Sequence, residues 1–421
     1  MNLIKQIFEE FNKNKINYSI IRNYEFLVQN KEYYDGKDID ILVKKSDYKK
    51  LENLILKNNF FKIDLNYGTN HKAFVNTKNK QIISLHIHLG GISGTSTIYL
   101  NEKILINKKL KNSFYTLDEK DQFIALILHI ILDGKEWRET YKTQAIELIE
   151  KSNKLYTYFS KNIANEIIEK IKNKEFDNFN VKKYKLNYKL NNPSFTFSKI
   201  SYMIKSFIWV LKRIFKGGNL IAVVGLDGTG KTTLTDNVNN YYKKSLIRTK
   251  LIYFGRGKNN IIPIKKISAP FIKKKEKIHE NSPTVGKTKK TSILFTLGSI
   301  VFFIDLILRY FFTIKISKIK YDLVLTDRFA TDLILMNGVP FWLRKMYFYL
   351  IPKPNIMIYL YNDINTLNIR KKHPIDDLKR QEEIYSYLIK KYNFFKIKSE
   401  NIEQVKTESL IKINELLNYK K

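Results

Sequence analysis

The chain contains no cysteine in 421 residues. Disulfides, thiolate metal sites and cysteine nucleophiles are thereby excluded, and a reducing compartment is compatible. Acids are scarce: 40 Asp and Glu stand against 75 Lys and Arg, a formal net charge of +35. Such an excess invites a polyanion, whether nucleic acid, anionic lipid or a phosphorylated substrate. Lysine is spread over every segment, however, beside heavy use of Asn and Ile, so most of the charge reads as compositional drift. No nucleic-acid-binding motif is found, and no specific nucleic-acid partner is expected. An apolar leader is also missing: the first ten residues are amphipathic and carry Glu9 and Glu10. The expected location is cytoplasmic. Hydrophobic content of 44% marks a folded chain, and the length allows two or three domains.

What is present is a complete phosphate loop, G-x-x-x-x-G-K-T: Gly225, Leu226, Asp227, Gly228, Thr229, Gly230, Lys231 and Thr232. The glycines let successive backbone N–H groups turn inward on a phosphate. Lys231 is placed to meet the β/γ-phosphates, and the Thr232 hydroxyl to ligate Mg²⁺. The apolar run at 220–224 predicts a buried parallel strand before the loop. Residues from Thr233 predict a helix after it, whose N-terminal dipole faces the anion.

Four regions are expected: a strand-and-helix region at 1–120, a helical extension at 121–190, a basic amphipathic linker helix at 191–218, and an alternating strand–helix domain at 219–421. The alternation predicts a parallel α/β sheet with flanking helices. Thr116 to Glu119 reads as a capping box opening the helical extension. In the linker helix, Ile200, Met203, Ile204, Phe207, Ile208, Leu211, Ile214 and Phe215 recur at helical spacing, with Lys199, Lys205, Lys212, Arg213 and Lys216 between them. Such a helix packs between domains or lies on an anionic membrane. Residues 258–290 are lysine-rich and read as a solvated excursion. The apolar stretch at 291–314 is long enough to span a bilayer. It carries Asp305 and Arg309 at i,i+4, and a span would part the phosphate loop from Asp327 and Arg328, so a helix buried against the sheet is expected.

Residues 323–328 form an apolar run ending in Asp327 and Arg328. Strand C-termini line the ligand crevice of an open α/β sheet. There Asp327 suits a Mg²⁺ or an acceptor hydroxyl, and Arg328 a bidentate phosphate clamp. This half of the chain resembles the thymidylate kinase family. The resemblance rests on the loop at 225–233, on Asp327-Arg328-Phe329, on the Pro354-Asn355 strand, on Arg256 ending the second strand and on Arg370 opening a lid. It implies transfer of the ATP γ-phosphoryl to a small acceptor, nucleoside monophosphate-like or a sugar, with ATP and Mg²⁺ as cofactors, and a dimer. It further implies that Lys231 stabilises the transferring group, that Thr232 and Asp327 serve the metal, and that Asp227 faces the acceptor's sugar. Arg256, Arg328 and Asp332 fall on the acceptor side, and Arg370 or Arg380 closes as the lid. The family's Glu-Pro after the strand-end arginine is here Gly257-Lys258, and its thymine-reading Ser…Tyr-Gln run is absent after Arg328.

In the N-terminal region, Asp38 and Asp40 sit at alternate positions of a predicted strand, on one face. That arrangement suits one or two Mg²⁺. With the preceding Tyr18 to Glu25 segment it resembles the nucleotidyltransferase fold, an α+β domain, in the form fused to thymidylate-kinase-like proteins of bacterial surface-polysaccharide loci. The Gly-Ser turn of that fold is replaced by Arg22-Asn23. The strand expected to carry a third acid carries His86 and His88 instead, which opens a histidine-assisted metal site. A binding or inactive role stands beside the catalytic one. His129 and Asp133 at i,i+4 read as local structure.

Overall fold

The computed structural model describes residues 3–22, 38–63, 65, 70–77, 82–94, 98–192, 194–256, 258–263, 293–371 and 374–418. The polar turn expected at 23–25, Gly36, Lys37, Pro193, Gly257 and the part of the lysine-rich segment from 264 to 290 lie outside the described residues. The chain divides into two compact units, residues 1–211 with 244–246, and residues 212–243 with 247–421.

The first unit opens with the amphipathic helix α1 (Leu3–Lys13), which buries Ile4, Ile7, Phe8 and Phe11. Strand β1 (Tyr18–Arg22) runs antiparallel to β2 (Asp38–Val43). Helix α2 (Tyr48–Lys57) leads to β3 (Phe61–Ile63), β4 (His71–Asn76) and β5 (Ile83–Leu89). A hairpin follows, β6 (Gly91–Ser93) and β7 (Ile98–Asn101), then β8 (Lys109–Lys111) and β9 (Phe114–Thr116). The main sheet has the order β3-β4-β5-β2-β1-β9-β8. Strands β2 and β5 are parallel neighbours in its middle, and β4 lies antiparallel to β5. This is a mixed α+β sheet, as expected.

Helix α3 (Glu119–Asp133) follows β9. Its cap is Asp118, whose side chain accepts from the Asp121 amide, and Gly134 ends it at a φ of 63°. The expected capping residue, Thr116, instead belongs to β9, because the strand continues until the chain leaves the sheet. Twelve of the fifteen residues of α3 are buried, so it serves as the core on which α4 (Glu139–Glu147), α5 (Lys161–Lys172) and α6 (Val181–Asn191) pack. The His129 ring meets the Asp133 carboxylate at 2.8 Å, the local pair that the spacing predicts.

Helix α7 (Ser194–Lys216) bears the apolar repeat. Ile200, Met203, Ile204, Phe207, Ile208, Leu211 and Phe215 are exposed along it. Arg213 departs from the expected basic face. It is buried, donating to the carbonyls of Lys318, Ile319 and Tyr321 and to the Asp322 carboxylate, so it caps the C-terminal turn of a later helix.

The second unit is a five-stranded parallel sheet in the order β11-β12-β10-β13-β14. Its strands are β10 (Asn219–Gly225), β11 (Thr249–Tyr253), β12 (Leu323–Asp327), β13 (Ile356–Tyr361) and β14 (Phe394–Lys398). Every residue of β10 is buried, the mark of a strand covered on both faces. Helix α8 (Lys231–Lys243) leaves the phosphate loop. Helix α9 (Ile293–Arg309) continues through a π turn (Tyr310–Lys315) into a last turn at Ile316–Lys320. Helices α10 (Phe341–Leu350), α11 (Ile364–Lys371), α12 (Ile375–Lys391) and α13 (Ile402–Asn418) complete the unit.

Helix α9 corrects the expectation of full burial. From Phe295 to Lys320 it is long and apolar enough to cross a membrane, yet only 33% of its most apolar window is buried. Leu306, Tyr310 and Ile314 pack inward, while Leu297, Ile300, Ile304, Phe311 and Phe312 stay exposed. The ion pair Asp305–Arg309 forms at 3.0 Å with side chains 0% and 3% exposed. Its job is to hold the chain that follows β11. Asp305 accepts from the amides of Ile261 and Ile262 at 2.7 and 2.8 Å, and Arg309 donates to the carbonyls of Gly255 and Lys258. Asp305→Ala therefore leaves a buried guanidinium without its carboxylate and unties that loop. We expect a loss of about 3–5 kcal/mol, measured as a lower urea midpoint for the second unit.

Candidate functional site

Strand β10 ends at Gly225, where the chain must turn tightly past β13. A Cβ here would lie 2.2 Å from the Leu360 carbonyl oxygen. Gly228 and Gly230 then take φ of 93° and 83°, which L side chains disfavour. The loop closes on itself as Thr229 Oγ1 donates to the Leu226 carbonyl at 2.8 Å. The Gly225 amide donates to the buried Tyr385 hydroxyl of α12 at 3.2 Å. Tyr385 was not legible as a site residue, since nothing in its local sequence sets it apart from other apolar positions of that helix.

Lys231 opens α8 and is buried. Its Nζ donates to the Leu226 carbonyl at 2.7 Å and lies 3.4 Å from Asp227. Burial pulls its ammonium below the ordinary lysine range, with Asp227 opposing. Asp227 also accepts from Arg328 at 2.8 Å. Burial pushes the Asp227 carboxyl up, but Lys231 and Arg328 outweigh it and hold it below its usual range.

Strand β12 delivers Asp327 and Arg328 beside the loop, because Val223 pairs with Asp327 in register. Thr232 Oγ1 donates to Asp327 Oδ2 at 2.7 Å. Asp327 Oδ1 is buried with no hydrogen-bond partner among the described residues. A hydroxyl beside a buried carboxylate oxygen with spare acceptor capacity fits a hard cation such as Mg²⁺. Arg328 sits at a φ of 71°, a left-handed conformation that turns its guanidinium back over the loop. Gly255 makes room for it: a Cβ there would come within 2.4 Å of Arg328 Cδ.

Asp332 is buried, 3.7 Å from Arg328, and accepts from the Arg256 amide at 3.2 Å. One chain of contacts thus links Lys231, Asp227, Arg328, Asp332 and the backbone of Arg256, whose side chain is exposed. Thr232 and Asp327 flank it, and Thr233 follows on α8. The two lid candidates stand elsewhere. Arg370 is exposed on α11, and Arg380 is held by Asp377 at 2.7 Å and by the Leu335 carbonyl at 3.2 Å.

The first unit brings together a second cluster. Asp38 and Asp40 share a face of β2, as their spacing predicts, and Asp40 lies in register with His86 of β5. Arg22 Nε donates to Asp40 Oδ2 at 3.1 Å. His86 and His88 approach Asp40 Oδ1 at 2.8 and 3.2 Å. Burial pushes the Asp40 carboxyl up, but Arg22 and the two histidines hold it well below the usual range. Burial and then Asp40 raise Asp38. His71, unremarked in the sequence, joins from β4, its Nδ1 2.8 Å from His86 Nε2. Burial drives the His71 and His88 imidazoles down to about 2 and about 4, so both are neutral near pH 7.

A parallel sheet with this loop between its central strand and a helix defines the second unit as a P-loop domain. No family model matches the chain. One curated relative, "Probable thymidylate kinase 1" of Saccharolobus solfataricus, is 30% identical over 206 residues, covering 46% of this chain and 95% of the relative. The chain belongs to the thymidylate kinase family through this half, and is accordingly a kinase, a transferase. Among solved structures, the thymidylate kinase of Candida albicans covers 48% of this chain and 94% of its own, at 16% identity and a TM-score of 0.35. That of Ehrlichia chaffeensis covers 47% and 98%, at 16% identity and a TM-score of 0.34.

Proposed function

We propose that the second unit transfers the γ-phosphoryl group of ATP to a small acceptor of the nucleoside monophosphate class. The observation that supports this best is the continuous ion network from Lys231 through Asp227 and Arg328 to Asp332. A nucleotide switch needs the phosphate loop alone. An arginine held between two carboxylates beside that loop suits a second substrate.

In this reading the bond from the γ-phosphorus to the β–γ bridging oxygen breaks, and a bond to an acceptor oxygen forms. An acceptor phosphate attacks as an oxyanion; an acceptor hydroxyl would release its proton to water as it attacks, and ADP leaves in either case. Lys231 turns from the Leu226 carbonyl onto the β/γ-phosphates and neutralises charge on the transferring group. The amides of 228–233 cradle the phosphates. Thr232 and Asp327 hold the Mg²⁺, which when bound offsets charge on the phosphate oxygens. Arg328 and Arg256 orient the acceptor anion, Asp227 its sugar, and Asp332 fixes Arg328 and the Arg256 backbone. Arg370 or Arg380 closes over the phosphates, which requires Arg380 to exchange its Asp377 contact for phosphate. Catalysis is then positioning and charge neutralisation without a covalent intermediate.

The relative's name points to thymidylate. The missing Ser…Tyr-Gln run and the Gly257-Lys258 pair favour another acceptor, a different nucleoside monophosphate or a sugar. A γ-labelled ATP transfer screen over nucleoside monophosphates, sugars and sugar phosphates decides this. Labelled nucleoside diphosphate is the expected product, and hydrolysis alone with every acceptor would sink the proposal.

For the first unit, the Asp38/Asp40 strand supports a nucleotidyltransferase-like domain at 1–120 with a helical extension at 121–190 and a linker helix at 191–218, serving catalysis or substrate recognition. If Asp40→Asn leaves nucleotidyl transfer to every tested acceptor unchanged, the catalytic version fails. The exposed apolar residues of α7, interleaved with Lys199, Lys205, Lys212 and Lys216, favour a cytoplasmic protein resting on an anionic membrane face. Sedimentation with phosphatidylserine vesicles, weakened by salt, is the expected behaviour; no sedimentation at low salt rules it out.

A further inference from the structure

We propose that the first unit binds a first-row divalent transition-metal ion between His71, His86 and His88, with Asp40 orienting the rings. The site is independent of phosphoryl transfer in the other unit, and it does not require nucleotidyl transfer. The sheet assembles it from strands distant in sequence. The β4–β5 register sets His71 opposite His88, and the β2–β5 register sets Asp40 opposite His86. The three rings converge with centroids 4.8, 4.6 and 4.6 Å apart, and one nitrogen from each lies within 4.8 Å of the others.

The ring contacts carry the argument. His71 Nε2 faces the Ser93 hydroxyl at 2.6 Å and the Gly94 carbonyl at 3.2 Å, and its Nδ1 faces His86 Nε2 at 2.8 Å. At the other edge of His86, Nδ1 faces Asp40 Oδ1 at 2.8 Å, and Asp40 is paired with Arg22. A carboxylate accepts, so His86 donates from Nδ1 and turns the lone pair of Nε2 toward His71. Between the two rings that lone pair meets either the His71 Nδ1 proton, with Ser93 donating to the far nitrogen, or a metal ion.

The surroundings favour the metal. His88 brings a third ring nitrogen within 4.8 Å of the other two; its Nε2 faces Asp40 at 3.2 Å, and its Nδ1 accepts from the Ser93 amide at 3.4 Å, so a metal takes the place of one of these contacts. Imidazole-rich sets select zinc, cobalt, nickel or iron over Mg²⁺. A carboxylate accepting from the far nitrogen of a ligating histidine is the usual second layer of such sites. Metal–nitrogen bonds of about 2.0–2.1 Å in a tetrahedral site need nitrogens about 3.3 Å apart, so the His71 and His86 rings must part by about half an ångström.

The test uses the full-length chain, stripped with a chelator and titrated with Co²⁺. Visible ligand-field bands rising to about one equivalent, displaced by Zn²⁺ and untouched by excess Mg²⁺, are expected. His86→Ala should abolish them, and Asp40→Asn should weaken affinity about 10–100-fold. The bands on unaltered protein need no variant to fold. Their absence, or their persistence in His86→Ala, would overturn the proposal in favour of a metal-free chain of hydrogen bonds from Ser93 through His71 and His86 to Asp40.

Discussion

Lys231→Ala lowers phosphoryl transfer by roughly 10²–10³-fold at saturating ATP, with the fold intact. The magnitude follows from where the ammonium sits. Lys231 is 6% exposed, so its charge acts in a site from which water is largely excluded. Removing one such preorganised donor typically costs about 10²–10³ in turnover. The loop should survive the loss. Asp227 keeps Arg328 at 2.8 Å, so no carboxylate is stranded, and the thermal midpoint stays close to that of the parent. Acid stability does change. Asp227 titrates below its unfolded value, near 3.9, so its contribution is full above that pH and fades as pH falls through the depressed folded value. Without Lys231 the folded value rises toward the unfolded one, and acid unfolding of the second unit begins at a higher pH. Lys231→Arg does not restore transfer, because a planar guanidinium is larger than the buried ammonium it replaces and points its donors differently. Transfer that survives in Lys231→Ala would remove this loop from the reaction.

Local chemistry decided which parts could be read in advance. The loop and the elements on either side were legible because glycine, lysine and threonine are each forced by geometry there. Strands β12 and β13 were legible as short apolar runs ending in polar residues. Asp305 and Arg309 were legible as a pair, but their partners, the amides and carbonyls of 255–262, follow only from the fold. Burial of α9 was overestimated because hydropathy does not say which face meets the sheet. The Arg213 side chain reads as surface charge in sequence. Its burial among carbonyls depends on a helix end that lies more than a hundred residues away. His71 was hidden for the same kind of reason, since only the β4–β5 register brings it to His86 and His88. Asp40 was found by spacing, but its pairing with Arg22 depends on the β1–β2 register.

Asp327→Asn separates function from stability more sharply than any other change in the second unit. Asp327 Oδ2 accepts from Thr232 at 2.7 Å, and an amide oxygen does that equally well. Asp327 Oδ1 is the atom that differs: buried, unpartnered among the described residues, and charged. A buried charge without a cation costs several kcal/mol, whereas a buried amide hydrogen without an acceptor costs about 1–3 kcal/mol. The metal-free variant should therefore melt at or above the parent's temperature. Turnover should fall by about 10²–10³-fold, because a neutral amide holds Mg²⁺ poorly and charge on the phosphate oxygens goes unscreened. Raising Mg²⁺ should not restore the rate, while Thr232→Ser, which keeps the hydroxyl, should lose little. Differential scanning fluorimetry beside a magnesium-dependent rate curve reads both quantities on one preparation. If Asp327→Asn keeps most of its activity at low Mg²⁺, the ion is held elsewhere. If it melts well below the parent instead, the carboxylate is structural, and its orphaned oxygen is not the mark of a cation site.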